Sequence, residues 1–238
     1  MQISPLDSWI KDKIGYSGSR SFREELNDYT LGKLQENVDY VKKNSRFYKE
    51  YFKEIGRIGS FKRFEEIPFT SGSDLLNAPN HFVCVPQNKI NRIVTMQSSG
   101  TGGPCKRIFF TKEDQELTID FFQKGMLNLL EKGYKTLILL PSSREGSVGE
   151  LLKKALKRIE VDSFIFNHIY NKEKLLRIIR EKSIDTIVGT PMQLYLLSNY
   201  VEDTEGTMDI NLKSILLSTD YAPKIVIEKI EKTFNCKV

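Results

Sequence analysis

The chain has 238 residues, 39% hydrophobic and 28% charged, with a formal net charge of +5. That length buries a substantial core in one or two domains, and the balance is that of a globular protein rather than a disordered one. Lysines and glutamates intermingle, no clustered basic stripe or nucleic-acid module stands out, and no apolar run approaches the ~20 residues of a membrane span, so neither nucleic acid nor membrane is an expected partner.

The chain opens Met1-Gln2-Ile3-Ser4-Pro5-Leu6-Asp7, without the basic flank and apolar core of a secretory signal. Residues 1–90 read as a helical and irregular cap region. Leu31, Leu34, Val38, Val41, Tyr48 and Phe52 recur at near-helical spacing over 30–52, with a break expected near Asn44-Ser45. Phe47, Tyr48, Tyr51 and Phe52 are expected to pack this cap rather than to stack on a base. Thr70-Ser71-Gly72-Ser73-Asp74 has the form of a helix start, with Thr70 or Ser71 as the cap.

Residues 91–238 read as an α/β lobe. Arg92–Met96 and Arg107–Thr111 are β-branched and aromatic, so they read as two strands around a glycine-rich hairpin tip. Strands and helices then alternate. Helices are expected over 112–131, 147–158, 172–182, 191–201 and 223–234, and strands over 136–140, 161–166, 186–188 and 214–217. Thr111 caps the first of these helices, and Pro191 suits the first turn of its own. Such alternation implies an α/β fold with a mostly parallel sheet and flanking helices. Ligands on such sheets gather at the carboxyl ends of the strands, here 141–143, 167–168, 189–190 and 218–220.

The hairpin tip is Gln97-Ser98-Ser99-Gly100-Thr101-Gly102-Gly103-Pro104-Cys105-Lys106. Glycines there allow positive φ and close backbone approach, and successive amides in such turns converge on anions. Ser98, Ser99 and Thr101 add hydroxyl donors and Lys106 a positive charge. The guest that suits this chemistry is a polyphosphate. The stretch is not a Walker loop, because G-x-x-x-x-G-K-[ST] is absent and no helix follows directly. Glycine content alone is equally consistent with a plain turn.

Three cysteines, Cys84, Cys105 and Cys236, are odd in number and widely spaced, which points to a reducing compartment and a cytoplasmic protein. Two histidines, His81 and His168, and no C-x-x-C leave no metal set to assign, and both histidines read as surface or pocket residues. Cys105 beside the loop has no general base in view and receives no nucleophilic role.

Ser98-Ser99-Gly100-Thr101-Gly102-Gly103 resembles the phosphate loop of the adenylate-forming superfamily, S-S-G-T-T-G-x-P-K. The phenylacetate–CoA ligase group is the branch the other motifs resemble. Ile67-Pro68-Phe69-Thr70 with Asp74-Leu75 is similar to its L-P-F-T-x-x-D-L, and Thr111 with Asp114 to its Y-T-x-x-D. Thr190-Pro191 with Leu194 is similar to its T-P-x-x-L, and Leu212 through Asp220 sits where it has a glycine-rich tripeptide beside adenine. The resemblance spans residues 40–238. Gly102 stands where the family prefers threonine, Pro104 falls one place early, and Ser218-Thr219-Asp220 replaces the tripeptide.

The resemblance implies an acid–thiol ligase of the acyl-CoA synthetase kind. It would form an acyl- or aryl-adenylate from ATP and a small carboxylic acid, then pass the acyl group to coenzyme A or a carrier thiol. Ser98, Ser99, Gly100, Thr101, Gly102, Gly103 and Lys106 would hold phosphates, with Arg107 as a substitute charge. Ser218, Thr219 and Asp220 would lie near adenine, and Gly146, Gly149, Thr190 and Pro191 would shape the acyl pocket. The family's magnesium-holding glutamate, ribose-binding aspartate and catalytic lysine match nothing here, so the magnesium ligand is expected beyond residue 238 and no catalytic residue is assigned. Cys236-Lys237-Val238 reads as the start of a further strand. The expectation is therefore the first half of an adenylating enzyme, inactive alone and cut before its second lobe. Self-association is expected through a bare face holding Val226, Ile230, Phe234 and Val238. The alternative is a non-catalytic nucleotide-binding or scaffolding fragment that pairs with another polypeptide.

Overall fold

The computed structural model describes residues 4–96, 105–167, 171–204 and 210–238. They fall into two compact units, Met1–Gln115 and Glu116–Val238. In the first unit, α1 (Pro5–Ile14) starts at Ser4, whose hydroxyl accepts from the Asp7 amide while Asp7 accepts from the Ser4 amide. Pro5 adds a preset φ at the first helical position. α2 (Phe22–Asn44) begins with the same reciprocal cap between Ser21 and Glu24. It ends at Ser45, which at once caps α3 (Arg46–Tyr51), so the expected break near Asn44-Ser45 is present.

Val38, Phe52 and Ile58 form a small core, with Val41, Tyr48, Ile55 and Ile67 packed on it. The ring of Phe47 stacks on Phe82 at 4.2 Å between centroids, and Tyr48 meets Phe82 edge-on. The aromatics thus hold the helices together, as their spacing indicated. Tyr48 and Thr70 hydroxyls lie 2.9 Å apart, and the Tyr51 hydroxyl donates to the Phe69 carbonyl. These contacts fix the segment that leads through α4 (Phe61–Glu65) into α5 (Gly72–Asn77), capped by Ser71. Antiparallel strands β1 (Ile90–Met96) and β2 (Lys106–Thr111) complete the unit as a hairpin.

The second unit is a four-stranded parallel sheet in the order β4-β3-β5-β6. Its strands are β3 (Lys135–Ile138), β4 (Asp162–Ile165), β5 (Thr186–Gly189) and β6 (Ser214–Leu217). The flanking helices are α6 (Lys112–Met126), α7 (Val148–Arg158), α8 (Lys172–Glu181), α9 (Pro191–Asp203) and α10 (Lys224–Phe234). α6 starts at Lys112 in the first unit and runs into the second, where its last turns pack.

Alternation along the strands sorts the core onto two faces. Leu137, Leu139, Ile187 and Ile215 pack with residues of α8, α9 and α10. Ile138, Leu140 and Val188 pack with residues of α6 and α7. Burying both faces is what lets these strands be short apolar runs. The chain is therefore α/β with a mostly parallel sheet between helices, as its strand–helix alternation implies.

One expectation needs correction. Ile230 and Phe234 are 0% and 3% exposed, within the core, and Val226 and Val238 are partly buried against it. They do not form a bare face, because α10 packs on α9 and turns its apolar stripe inward into the core. Lys237 forms a parallel bridge with Ser214, and the Ile215 amide donates to the Lys237 carbonyl at 2.9 Å, so the last residues extend the sheet beside β6.

Candidate functional site

The strand order places successive connections on opposite sides of β3. From β3 the chain crosses to β4 on one flank, then returns to β5 on the other. The connections leaving β3 and β5 diverge at their carboxyl ends, and in open parallel sheets such a switch point is the usual ligand crevice.

Backbone contacts and small side chains shape the loops at this end of the sheet. After β3, the Ser142 hydroxyl donates to the Leu140 carbonyl at 2.7 Å. Gly146 adopts φ 69°, and its amide donates to Glu150 Oε2 at 3.0 Å. The Ser147 hydroxyl turns back to the Arg144 carbonyl. The Gly149 amide donates to the Pro141 carbonyl at 3.0 Å, which ties the first turn of α7 to the end of β3. A Cβ on Gly149 would run into Ser142 Oγ and come 2.9 Å from the Leu140 oxygen. Gly146 and Gly149 are both buried, so they set the path of the loop and offer no side chain to a ligand.

After β5, Thr190 caps α9. Its hydroxyl accepts from the Gln193 amide at 3.3 Å, and the Thr190 amide donates to Gln193 Oε1 at 2.9 Å. Pro191 follows as the first helical residue and is buried. Gln193 Nε2 reaches across to the Leu139 carbonyl at 3.3 Å, so one side chain links the two diverging connections. This requires close approach at Gly189, where a Cβ would meet Leu194 Cδ2 at 2.6 Å and Gln193 Oε1 at 3.1 Å. Sequence reasoning placed Gly189 at a strand's carboxyl end without giving it this packing role, and did not single out Gln193. The signal for Gln193 was its place three residues after a capping threonine.

After β6, the Ser218 amide donates to the Gly189 carbonyl at 2.9 Å, which brings this segment beside Thr190. Thr219 is held at φ 77°, and Thr219, Asp220 and Tyr221 are exposed. A threonine there is strained, because a β-branched side chain disfavours the left-handed region that glycine enters freely. The structure thus gathers Gly146, Gly149, Thr190, Pro191 and Ser218 at one end of one sheet.

Ser98, Ser99, Gly100, Thr101, Gly102 and Gly103 lie outside the described residues, as does His168. Lys106 opens β2, and its Nζ lies over Gly72 at the start of α5, 2.7 Å from where a Cβ would stand. Glycine at 72 leaves room for that ammonium. The three cysteines are free thiols. Burial pushes the Cys236 thiol up to about 11, with the Glu231 charge adding to it, and burial also raises Cys84. Among the described residues no cluster of three metal-binding side chains occurs. No described helix is long and apolar enough to cross a membrane.

No protein-family model matches the chain. Protein CapK of Staphylococcus aureus is 20% identical over 218 residues, which cover 87% of this chain and 47% of CapK. The open conformation of 2-hydroxyisobutyryl-CoA ligase, solved with 2-HIB-AMP and CoA, superposes with a TM-score of 0.77 at 17% identity, over 90% of this chain and 49% of that one. The same ligase in its thioesterification state gives 0.76 at 19% identity, over 90% and 48% of the two chains. The chain spans about half the length of the relatives it matches. At such identities the likeness shows the fold: over nine-tenths of its length the chain folds as part of an acyl-CoA ligase does, and the resemblance read from the sequence holds at that level.

Proposed function

We propose that the chain is the N-terminal, nucleotide-binding part of an ATP-dependent ligase that activates a small carboxylic acid as an acyl- or aryl-adenylate for thioester synthesis. The observation that carries this reading is the crevice at the carboxyl ends of β3, β5 and β6, where Gln193 joins Leu139 to Thr190 and Ser218 hangs from Gly189. It lies in a fold shared with a ligase whose structure holds an acyl-AMP adduct and CoA.

The residues fit a nucleotide and an acyl group. The floor is backbone and small side chains, so bulky groups can approach closely. Thr190 and Pro191 would form the acyl wall, positioned by the α9 cap, and Gly146 and Gly149 would set its depth. Ser218 and Asp220 would face the adenine. Ser98, Ser99, Thr101 and the amides of Gly100, Gly102 and Gly103 would hold the β- and γ-phosphates, with Lys106 offsetting charge. The acid's carboxylate oxygen bonds to the α-phosphorus and the bond to pyrophosphate breaks. Such a displacement asks the protein mainly for positioning and neutralisation of charge. Magnesium would assist at the phosphates, and no described residue is assigned to it. Coenzyme A or a carrier thiol would take the acyl group. The chain by itself would not complete this cycle.

A reducing, cytoplasmic setting belongs to the same proposal and rests on the three free thiols. The loop assignment is tested by calorimetric titration with ATP. Ser99→Ala with Lys106→Ala should weaken binding about tenfold or more, since one charge-assisted contact contributes about 1.5–3 kcal/mol. Unchanged affinity in the double variant removes the loop from the site.

A further inference from the structure

Gly72 stands where the backbone does not require a glycine. It is the first residue of α5, and it does not share the positive φ of Gly15, Gly18, Gly133 and Gly146. Alanine would fit that conformation and favour the helix more. No fixed structure crowds the position either. The heavy atoms within 4 Å of a built Cβ are Lys106 Nζ at 2.7 Å and Lys106 Cε at 3.2 Å, both at the far end of one flexible side chain. Gly32 and Gly125, also in helices, have nothing within that distance. The space that glycine leaves at 72 is filled by an ammonium.

The contact is built into the N-terminal unit, since α5 packs on β2. Lys106 is half-buried, and among the described residues its ammonium makes no ion pair or hydrogen bond. Asp74, the carboxylate in the same helical turn as Gly72, is committed to the cap. It accepts from the Ser71 amide at 2.8 Å and from the Ser71 hydroxyl at 2.6 Å. The ammonium is therefore held by shape, with all its N–H donors unspent.

We propose that Gly72 is a positioning residue for Lys106: its missing side chain forms the seat from which the ammonium, its donors free, meets the phosphates of the nucleotide. The proposal rests on the reading of Lys106 as the charge that offsets those phosphates. Filling the seat turns the ammonium away without removing it, and leaves the helix intact.

The seat is read in the 238-residue chain by acetylation with N-hydroxysuccinimidyl acetate, followed lysine by lysine through peptide mass mapping. Gly72→Ala should raise the rate at Lys106, leave the exposed Lys112 unchanged and keep or raise Tm. Its consequence is read by calorimetric titration of ATP into the longest polypeptide that the reading frame supplies. Lys106→Ala should weaken binding about tenfold or more, the loss of one charge-assisted contact. Gly72→Leu should approach that loss by filling the seat, and Gly72→Ala should show part of it. Neither should weaken binding further in the Lys106→Ala background, because coupled residues are not additive. Gly72→Ala carries the test if Gly72→Leu does not fold. Equal acetylation of Lys106 in the parent and Gly72→Ala overturns the proposal. So does full ATP affinity in Gly72→Ala, or a loss that persists whole in the Lys106→Ala background. Unchanged affinity in Lys106→Ala is a different failure: it removes Lys106 from the phosphates, and the loop reading and the proposal fall together.

Discussion

Gly149→Ala should destabilise the sheet unit, although the same change is favourable in most helices. Gly149 is the second residue of α7, and its missing side chain faces the end of β3. The new Cβ would lie 2.9 Å from the Leu140 oxygen and 3.1 Å from the Pro141 oxygen, and would run into Ser142 Oγ. The hydroxyl can rotate away, but the carbonyls are backbone and each already accepts a hydrogen bond. The first turn of α7 must then retreat from β3, disturbing Leu151, Leu152, Ala155 and Leu156, which it buries. Overpacking of this kind costs about 1–3 kcal/mol. The better helix propensity of alanine offsets at most about 1 kcal/mol. With two backbone oxygens inside contact distance the cost falls in the upper half of that range, so the net loss is about 1–2 kcal/mol, or a fall in Tm of roughly 2–8 °C for a chain of this length. Gly125→Ala is the matched control, because it lies in α6 with no heavy atom within 4 Å of a built Cβ. That variant should gain about 0.5 kcal/mol. Thermal and urea unfolding of both variants beside the parent decide the matter. If Gly149→Ala is neutral or stabilising, the close approach of α7 to β3 is wrong.

Other expected outcomes follow from strain and titration. Thr219→Gly should stabilise the chain, since a non-glycine residue at φ 77° carries about 1–2 kcal/mol of strain and glycine returns roughly 0.5–1 kcal/mol of that as unfolded-state entropy; a loss of stability in urea unfolding would refute the left-handed turn. Cys236 keeps its proton in the folded chain to about 11, above its ordinary 9.0. The unfolded thiol ionises first, so the contribution is intact below pH 9.0 and is lost as pH rises toward 11. Unfolding measured across that window should show a smaller alkaline loss in Cys236→Ala than in the parent, and identical losses would contradict the burial of this thiol.

Legibility in the sequence followed the range of the interactions. Apolar runs such as Ser214–Leu217 and caps such as Ser71 are local, and both stand where their patterns put them. Helix α1 was not singled out, although Ser4, Pro5 and Asp7 carry a cap signature, because residues 1–90 were read only as helical and irregular. The order β4-β3-β5-β6 was not legible, since crossovers and not strand composition set which parallel strands are neighbours. The side to which α10 turns Ile230 and Phe234 depends on that order too, which is why they were read as bare. At the crevice, Thr190 and Pro191 were found through a motif. The close approach at Gly189 and the bridge made by Gln193 were not read, because both arise only when β5 is laid beside β3.

The central claim, activation of a carboxylic acid by ATP, is tested most directly by exchange of labelled pyrophosphate into ATP across a panel of aryl and aliphatic acids. The assay is run on the longest polypeptide that the reading frame supplies and on the 238-residue chain. The predicted result is exchange that appears with particular acids in the longer polypeptide, falls in its Ser99→Ala/Lys106→Ala variant, and is absent from the 238-residue chain alone. Exchange that ignores the added acid, or its absence from the longer polypeptide with every acid, would contradict the ligase reading.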